Sequence, residues 1–251
     1  MYTDEQFEQL EQEELEITEE EIALMLVLLA STKRSLEKEI RDFYSKYGKD
    51  GVVTYQEARK WVSSTDHRRR LTVLMLFINE SFDKLYFELT PQFKKLLERV
   101  AHKEFDFFGV DIPEDIDTVY WGADDKAWHD RLDEDVQLWK YQTQNKLKQT
   151  LLRRATLEDV AEWVDDYFGY MGRVLKRLGL TESTAMGSFV RQDIFKQLGV
   201  SKYRFYTQAD ERTCEVCGSM HGLVFPVSAM LIGSTASPLH PNCRCFEIPE
   251  F

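Results

Sequence analysis

The chain has 251 residues, 43% apolar and 13% aromatic, which is material for one or two well-packed domains and excludes a disordered composition. Its net charge of −12 does not advertise nucleic-acid binding, because phosphate contact calls for a basic surface. The charge is uneven: residues 1–22 (MYTDEQFEQLEQEELEITEEEI) carry ten acidic side chains and no Lys or Arg, leaving 34 acidic and 32 basic side chains in the remainder.

This opening segment reads as an acidic N-terminal arm, either a solvated, partly helical tail or a docking arm for a basic surface. With no basic start and no apolar stretch behind it, a signal peptide is not expected. The longest apolar run, IALMLVLLA at 22–30, is too short to span a bilayer, so the chain is expected to stay off membranes and to be made in the cytoplasm.

From residue 22 to about 200 the periodicity is helical. Leu29, Leu36, Ile40, Phe43 and Tyr47 fall on one helix face, and Gly48 ends that helix. Thr54 with Glu57 predicts a capped short helix. A longer one follows Asp66, with Leu71, Leu74, Ile78, Phe82 and Leu85 as its stripe. Thr90-Pro91 predicts a restart, with Phe93, Leu97 and Val100 beyond it. Residues 108–122 lose the period and read as a loop. A helix resumes near Asp124, with Trp128, Leu132, Val136, Trp139, Leu147 and Leu151. Thr156 with Asp159 caps the next, whose stripe is Val160, Val164, Tyr167 or Phe168, Met171, Val174 and Leu178. Gly179 is expected to end it, and Thr181 to cap one more helix running to about Leu198. Basic runs at His67–Arg70 and Arg153-Arg154 read either as solvated helix ends or as contacts for nucleic acid or an acidic partner.

After residue 200 short strands and turns take over: SKYRFYTQ, LVFPV and the end of PLHPNCRCFEI. The expected class is mainly α, with long helices over 22–200 and a small C-terminal α+β module. The expected divisions are an arm at 1–22, a helical domain at 23–178 and the module at 179–251.

All four cysteines lie in that module, in CEVC and HPNCRC. Cys214-x-x-Cys217 lets two sulfurs from one tight turn meet one ion, and His240-x-x-Cys243 supplies a second pair, with Cys245 a fifth donor. Four N/S ligands suit a structural zinc, and a module of short strands has little core without one. Two other readings stay open on spacing: disulfides formed outside the cell, and free or catalytic thiols. If extended, Cys243 and Cys245 point to opposite faces. His221 reads as a turn residue before Gly222, with competition for the metal as its other reading, while His102 and His129 have no partner constellation. Asp210, Glu211 and Arg212 read as turn-forming beside the metal rather than as a catalytic pair. No P-loop, dinucleotide fingerprint, HExxH, GxSxG or deaminase pattern is present.

The string from TQADERTCEVCGSMHGLVF to SPLHPNCRC resembles the signature of the phage Mu F-like, or head morphogenesis, minor capsid proteins of tailed bacteriophages. The matching residues are Asp210, Arg212, Thr213, Cys214, Cys217, Gly222, Pro238, His240, Pro241, Asn242, Cys243, Arg244 and Cys245. Thr181-Glu182 fits the pair expected before the signature, although Leu180 stands where an Arg is usual. The resemblance implies a non-enzymatic virion component inside the phage head. It implies contact with the portal protein and the inner surface of the capsid or scaffold, with packaged DNA as a further partner, and a role in head assembly and DNA packaging or ejection. Some relatives carry a toxin domain behind the signature; six residues after Cys245, none is expected here. The rival classes are a zinc-stabilised DNA-binding virion protein and, further off, a nuclease or thiol oxidoreductase centred on 210–217.

Overall fold

The structure, a computed structural model, describes all residues except 1, 115, 117, 118, 120, 123, 124 and 251. Its elements are α1 (Asp4–Tyr47), α2 (Tyr55–Ala58), α3 (Arg70–Phe108), α4 (Trp128–Leu152), α5 (Leu157–Gln197), β1 (Lys202–Tyr206), α6 (Glu215–Met220), β2 (Val224–Pro226) and β3 (Phe246–Glu250). The class is as expected: long helices followed by a small α+β module. In that module β1 is the central strand, antiparallel to both neighbours, in the order β2-β1-β3.

Several helix ends follow from their own residues. The Thr54 hydroxyl accepts from Glu57 N and opens α2. Thr156 and Asp159 bond reciprocally at the head of α5, each accepting the other's backbone N–H. Gly48 follows α1 because a Cβ there would lie 2.4 Å from the Tyr44 carbonyl oxygen. The helix start placed near Asp124 lies outside the described residues; α4 itself begins at Trp128.

Three predicted breaks are absent. Pro91 sits inside α3, where the Thr90 hydroxyl donates to the Tyr86 carbonyl in the turn that Pro91 leaves short of a donor. Gly179 and Thr181 lie inside one continuous α5. Gly179 is there for close packing: a Cβ would come within 2.8 Å of the Ile22 side chain. The Thr181 hydroxyl bonds back to the Arg177 carbonyl instead of capping a helix.

The chain packs as two compact units. One comprises Met25–Thr90 and Leu132–Val174. Its core is the predicted stripes, with Leu36, Ile40, Leu74, Ile78, Phe82, Leu85, Val136, Trp139 and Phe168 all buried, and Phe82 stacked on Phe168. The helix stripe left between Tyr167 and Phe168 is thus carried by Phe168. The other unit comprises Met1–Leu24, Pro91–Arg131 and Leu175–Phe251. The limits after Leu24 and Val174 fall inside α1 and α5, close to 22 and 179, and the opening segment and Pro91–Arg131 share a unit with the C-terminal module. The acidic opening segment is part of α1. Phe7, Leu10 and Ile22 are buried, and Asp4, Glu13 and Glu21 pair with Arg204, Lys103 and Lys95.

That second unit holds a buried ionic cluster with no counterpart in the sequence reading. Arg191 on α5, 1% exposed, faces Glu11 and Glu14 from α1, Glu104 from α3 and Glu247 from β3. Four carboxylates share one guanidinium in a dry setting, so some of them hold protons. Burial raises the Glu11 carboxyl to about 7, pushes Glu14 well above the usual carboxylate range and raises Glu247. A carboxyl raised in the folded state keeps a proton that the unfolded chain releases near 4.5, so this contribution is whole below that pH and lost as pH rises through about 7. The unfolding midpoint in urea is therefore expected to fall between about pH 5 and pH 8, and Glu14→Gln to be the more stable form at the upper end. A Glu14→Gln profile parallel to the parent's would contradict this protonation. Arg191→Leu, which strands the carboxylates, is expected to cost about 3–5 kcal/mol.

Candidate metal centre

The spacing of CEVC has a structural meaning. Cys214 is the N-cap of α6, with extended backbone, and its Sγ accepts the Cys217 N–H at 3.4 Å. Positions N-cap and N3 of a helix lie on one side of its first turn, so both sulfurs face the same way. The pair was expected in a turn between strands; it opens a short helix instead.

The second cluster forms a tight loop. Asn242 takes a left-handed φ of 60°, and Cys243 N donates to the His240 carbonyl. His240 Nδ1 donates to the Pro241 carbonyl at 2.9 Å. That fixes the tautomer and leaves the Nε2 lone pair for the cluster, 3.2 Å from both Cys214 Sγ and Cys217 Sγ. Cys217 Sγ is also 3.8 Å from Cys243 Sγ. The five donors form two overlapping triads, Cys214–Cys217–His240 and Cys217–Cys243–Cys245, each with its donor atoms within 4.8 Å of one another. Cys217 belongs to both.

All four cysteines are free thiols. Cys243 and Cys245 lie on the same side, not on opposite faces, because β3 starts only at Phe246 and strand alternation does not yet apply. Burial pushes the Cys217 thiol up to about 12, while the Cys245 thiol beside Cys243 holds Cys243 down at about 5. Hydrogen bonding from Cys217 N lowers Cys214. Burial alone would lower His240, but the Pro241 carbonyl and the nearby cysteine sulfurs outweigh it and raise its pKa. The apolar core here is small. Phe205, Cys217, Cys243 and Cys245 form it, with Cys214, Met220, Phe225 and Leu239 packed around it. Half of those eight side chains are cysteines.

The surrounding residues orient the two loops. Asp210 receives a bidentate contact from Arg244 at 2.7 and 2.9 Å, as well as the Arg212 N–H, and Arg244 holds its carboxyl down at about 2. Its carboxylate is engaged with the loop, as the turn-forming reading of Asp210 requires. His221 Nδ1 lies 3.1 Å from Thr207 N and stays outside both triads.

What the sequence reading did not find is the seat of the site on α5. Thr181, Thr184, Ser188 and Arg191 recur at helical spacing, and each meets the C-terminal module. The Asn242 N–H donates to Thr181 Oγ1 at 3.0 Å, and Thr184 Oγ1 donates to the Cys243 carbonyl at 3.1 Å. Ser188 Oγ donates to Glu247 at 2.9 Å, and Arg191 faces the same carboxylate. Glu182, beside this stripe, binds Trp121 Nε1 at 3.0 Å and Arg131 at 3.1 Å. The seat's signal in the sequence is a polar 3–4 pattern, which apolar periodicity does not reveal.

Residues 141–248 match the family model described as Phage Mu protein F like protein. This part of the chain is a Phage Mu protein F-like region. The match takes in α5, both Cys/His clusters and most of β3, so the polar stripe and the loops it carries lie within the Mu F-like region. No curated protein and no solved structure matches the chain. Among the described residues no helix is long and apolar enough to cross a membrane.

Replacing Thr181 by Val keeps its shape and removes the acceptor of the Asn242 N–H. The expected cost is about 1–3 kcal/mol, measured by chemical denaturation, because a part-buried donor is left unpaired. An unchanged stability would mean that the loop does not depend on α5.

Proposed function

We propose that this protein is a phage head-morphogenesis component: a minor capsid protein inside the head, associated with the portal, that assists head assembly and DNA packaging or ejection. The observation that carries the reading is the Mu F-like match over 141–248, which spans both donor clusters and the helix that seats them. No residue is assigned a catalytic role. Asp210 is engaged with Arg244 and Arg212, and the cysteines face one another.

The site is read as structural zinc. The donor set suits that ion: four sulfurs and one imidazole nitrogen, with the histidine tautomer already fixed. A tetrahedron with Zn–S bonds near 2.3 Å has S···S edges of about 3.8 Å, and Cys217 and Cys243 stand 3.8 Å apart. Cys214, Cys217, His240 and Cys243 are the proposed ligands, with Cys245 able to replace one. When bound, the ion supplies a cross-link between the α6 loop and the HPNCRC loop. The protein's own residues hold the donors on one side of α6, fix the imidazole through Pro241 and anchor the second loop to α5.

Purified protein is expected to carry about one equivalent of zinc, and chelation to lower its melting temperature. Cys217→Ser, which touches both triads, is expected to lose the metal, and Cys245→Ser to keep most of it. Less than about half an equivalent, with no effect of chelator on melting, would sink the assignment. For the head placement, affinity-tagged full-length protein is expected to co-purify with portal protein and procapsids when these are produced together. Recovery of neither would overturn the portal reading and leave the zinc reading standing.

A further inference from the structure

The chain is acidic overall, yet one region of the unit formed by Met25–Thr90 and Leu132–Val174 is strongly basic. Residues 46–70 contain seven Lys and Arg against three Asp and Glu, and 148–154 contain three Lys and Arg with no acid. The fold brings these two segments together at the end of α1. Val52 bridges to Thr156, and the Tyr44 hydroxyl donates to the Ala155 carbonyl. Arg70 lies over the Tyr47 ring, 4.1 Å from its centroid.

Not all of these cations are available. Arg68 is held by Asp66, Arg70 and Lys60 by Glu57. Lys49, Arg59, Arg69, Arg153 and Arg154 are exposed and have no carboxylate partner among the described residues. Two of them lie over aromatic rings: Arg59 over Tyr55, and Arg69 over Trp61, which is itself 54% exposed with His67 edge-on to it. Arg69 immediately precedes α3, whose first turn has no acid, and a cation there opposes the helix dipole, while Arg59 is the C-cap of α2 and Arg153 and Arg154 follow the end of α4.

We propose that this patch binds the phosphate backbone of nucleic acid. Unpaired guanidinium groups beside an exposed indole offer what a polynucleotide presents: phosphates for the cations and flat bases for the ring. A second copy's acidic opening segment is the less suitable occupant, because Asp4, Glu11, Glu13 and Glu20 are already engaged with Arg204, Arg191, Lys103 and Arg99 of their own chain. The inference deepens the head placement by assigning a surface to its DNA contact and rests on that reading for the source of the DNA; it does not depend on the Cys/His site, and failure of DNA binding would leave portal co-purification untouched.

The test uses full-length protein with fluorescein-labelled 30-residue single-stranded and duplex DNA, read by anisotropy at several salt concentrations. Binding is expected near 50 mM salt and, for roughly four phosphate contacts, should weaken by 200 mM about 100-fold on duplex and about 50-fold on single-stranded DNA. The variant Arg69→Glu, Arg153→Glu, Arg154→Glu alters exposed side chains with no carboxylate partner, of which Arg69 alone lies over a ring, that of the exposed Trp61. It should keep the parent's circular dichroism and melting temperature and lose at least about tenfold in affinity. A charge-matched control in the other unit, Lys94→Glu, Lys196→Glu, Lys202→Glu, should bind much more nearly like the parent. The proposal is overturned by no binding to either DNA at low salt, by equal losses in the two variants, or by polyglutamate displacing DNA at equal charge concentration.

Discussion

A single buried guanidinium organises the unit that carries the Cys/His site. Arg191 reaches carboxylates on α1, α3 and β3 from its place on α5, and Phe246 lies against it with its ring centroid 5.7 Å away. Burying one cation among four acids is costly unless geometry and protonation both adjust. The adjustment falls on the carboxyls of Glu11, Glu14 and Glu247, which burial pushes up. It also constrains packing, since α5 keeps a glycine at 187, where a Cβ would lie 3.3 Å from Glu104 Oε1. Glu11 and Glu14 of the acidic opening of α1 are thereby built into the fold, while Asp4, Glu5, Glu8, Glu16, Glu19 and Glu20 stay exposed.

The same helix positions the donor clusters. Thr181, Thr184, Ser188 and Arg191 form one polar face, and the module lies on it through main-chain and carboxylate contacts. Such contacts are directional, so they set where His240 and Cys243 stand with respect to α6. A purely apolar interface could slide. The apolar core beneath the loops is too small to set that register alone, since half of it is cysteine. An ion joining the two loops would complete a framework that hydrogen bonding has already aligned.

Legibility was uneven for physical reasons. The apolar stripes of α1, α3, α4 and α5 were readable because burial at helical spacing is a local signal. Thr54 and Thr156 were readable as caps because a cap needs only its neighbours. Gly179, Thr181 and Pro91 misled because each has a local meaning that distant contacts overrode. Gly179 gives way to Ile22, 157 positions earlier in the chain, and Thr181 to Asn242. The seat of the module was missed because its face of α5 is polar, and polar residues at 3–4 spacing look like a solvated surface until something is placed on them.

The sequence by itself determined the class of fold, the helix stripes, the five clustered Cys and His side chains and, through its motif, the similarity of residues 141–248 to the Phage Mu protein F-like family. Each of these rests on neighbours along the chain. Tertiary structure decided what those neighbours could not. It placed Cys243 and Cys245 on one side, made Cys217 common to both triads, and converted an apparent acidic arm into a packed helix. It also gathered unpaired arginines from two distant segments at the end of α1. All of these depend on groups far apart in sequence, whose separation and screening only the folded chain fixes.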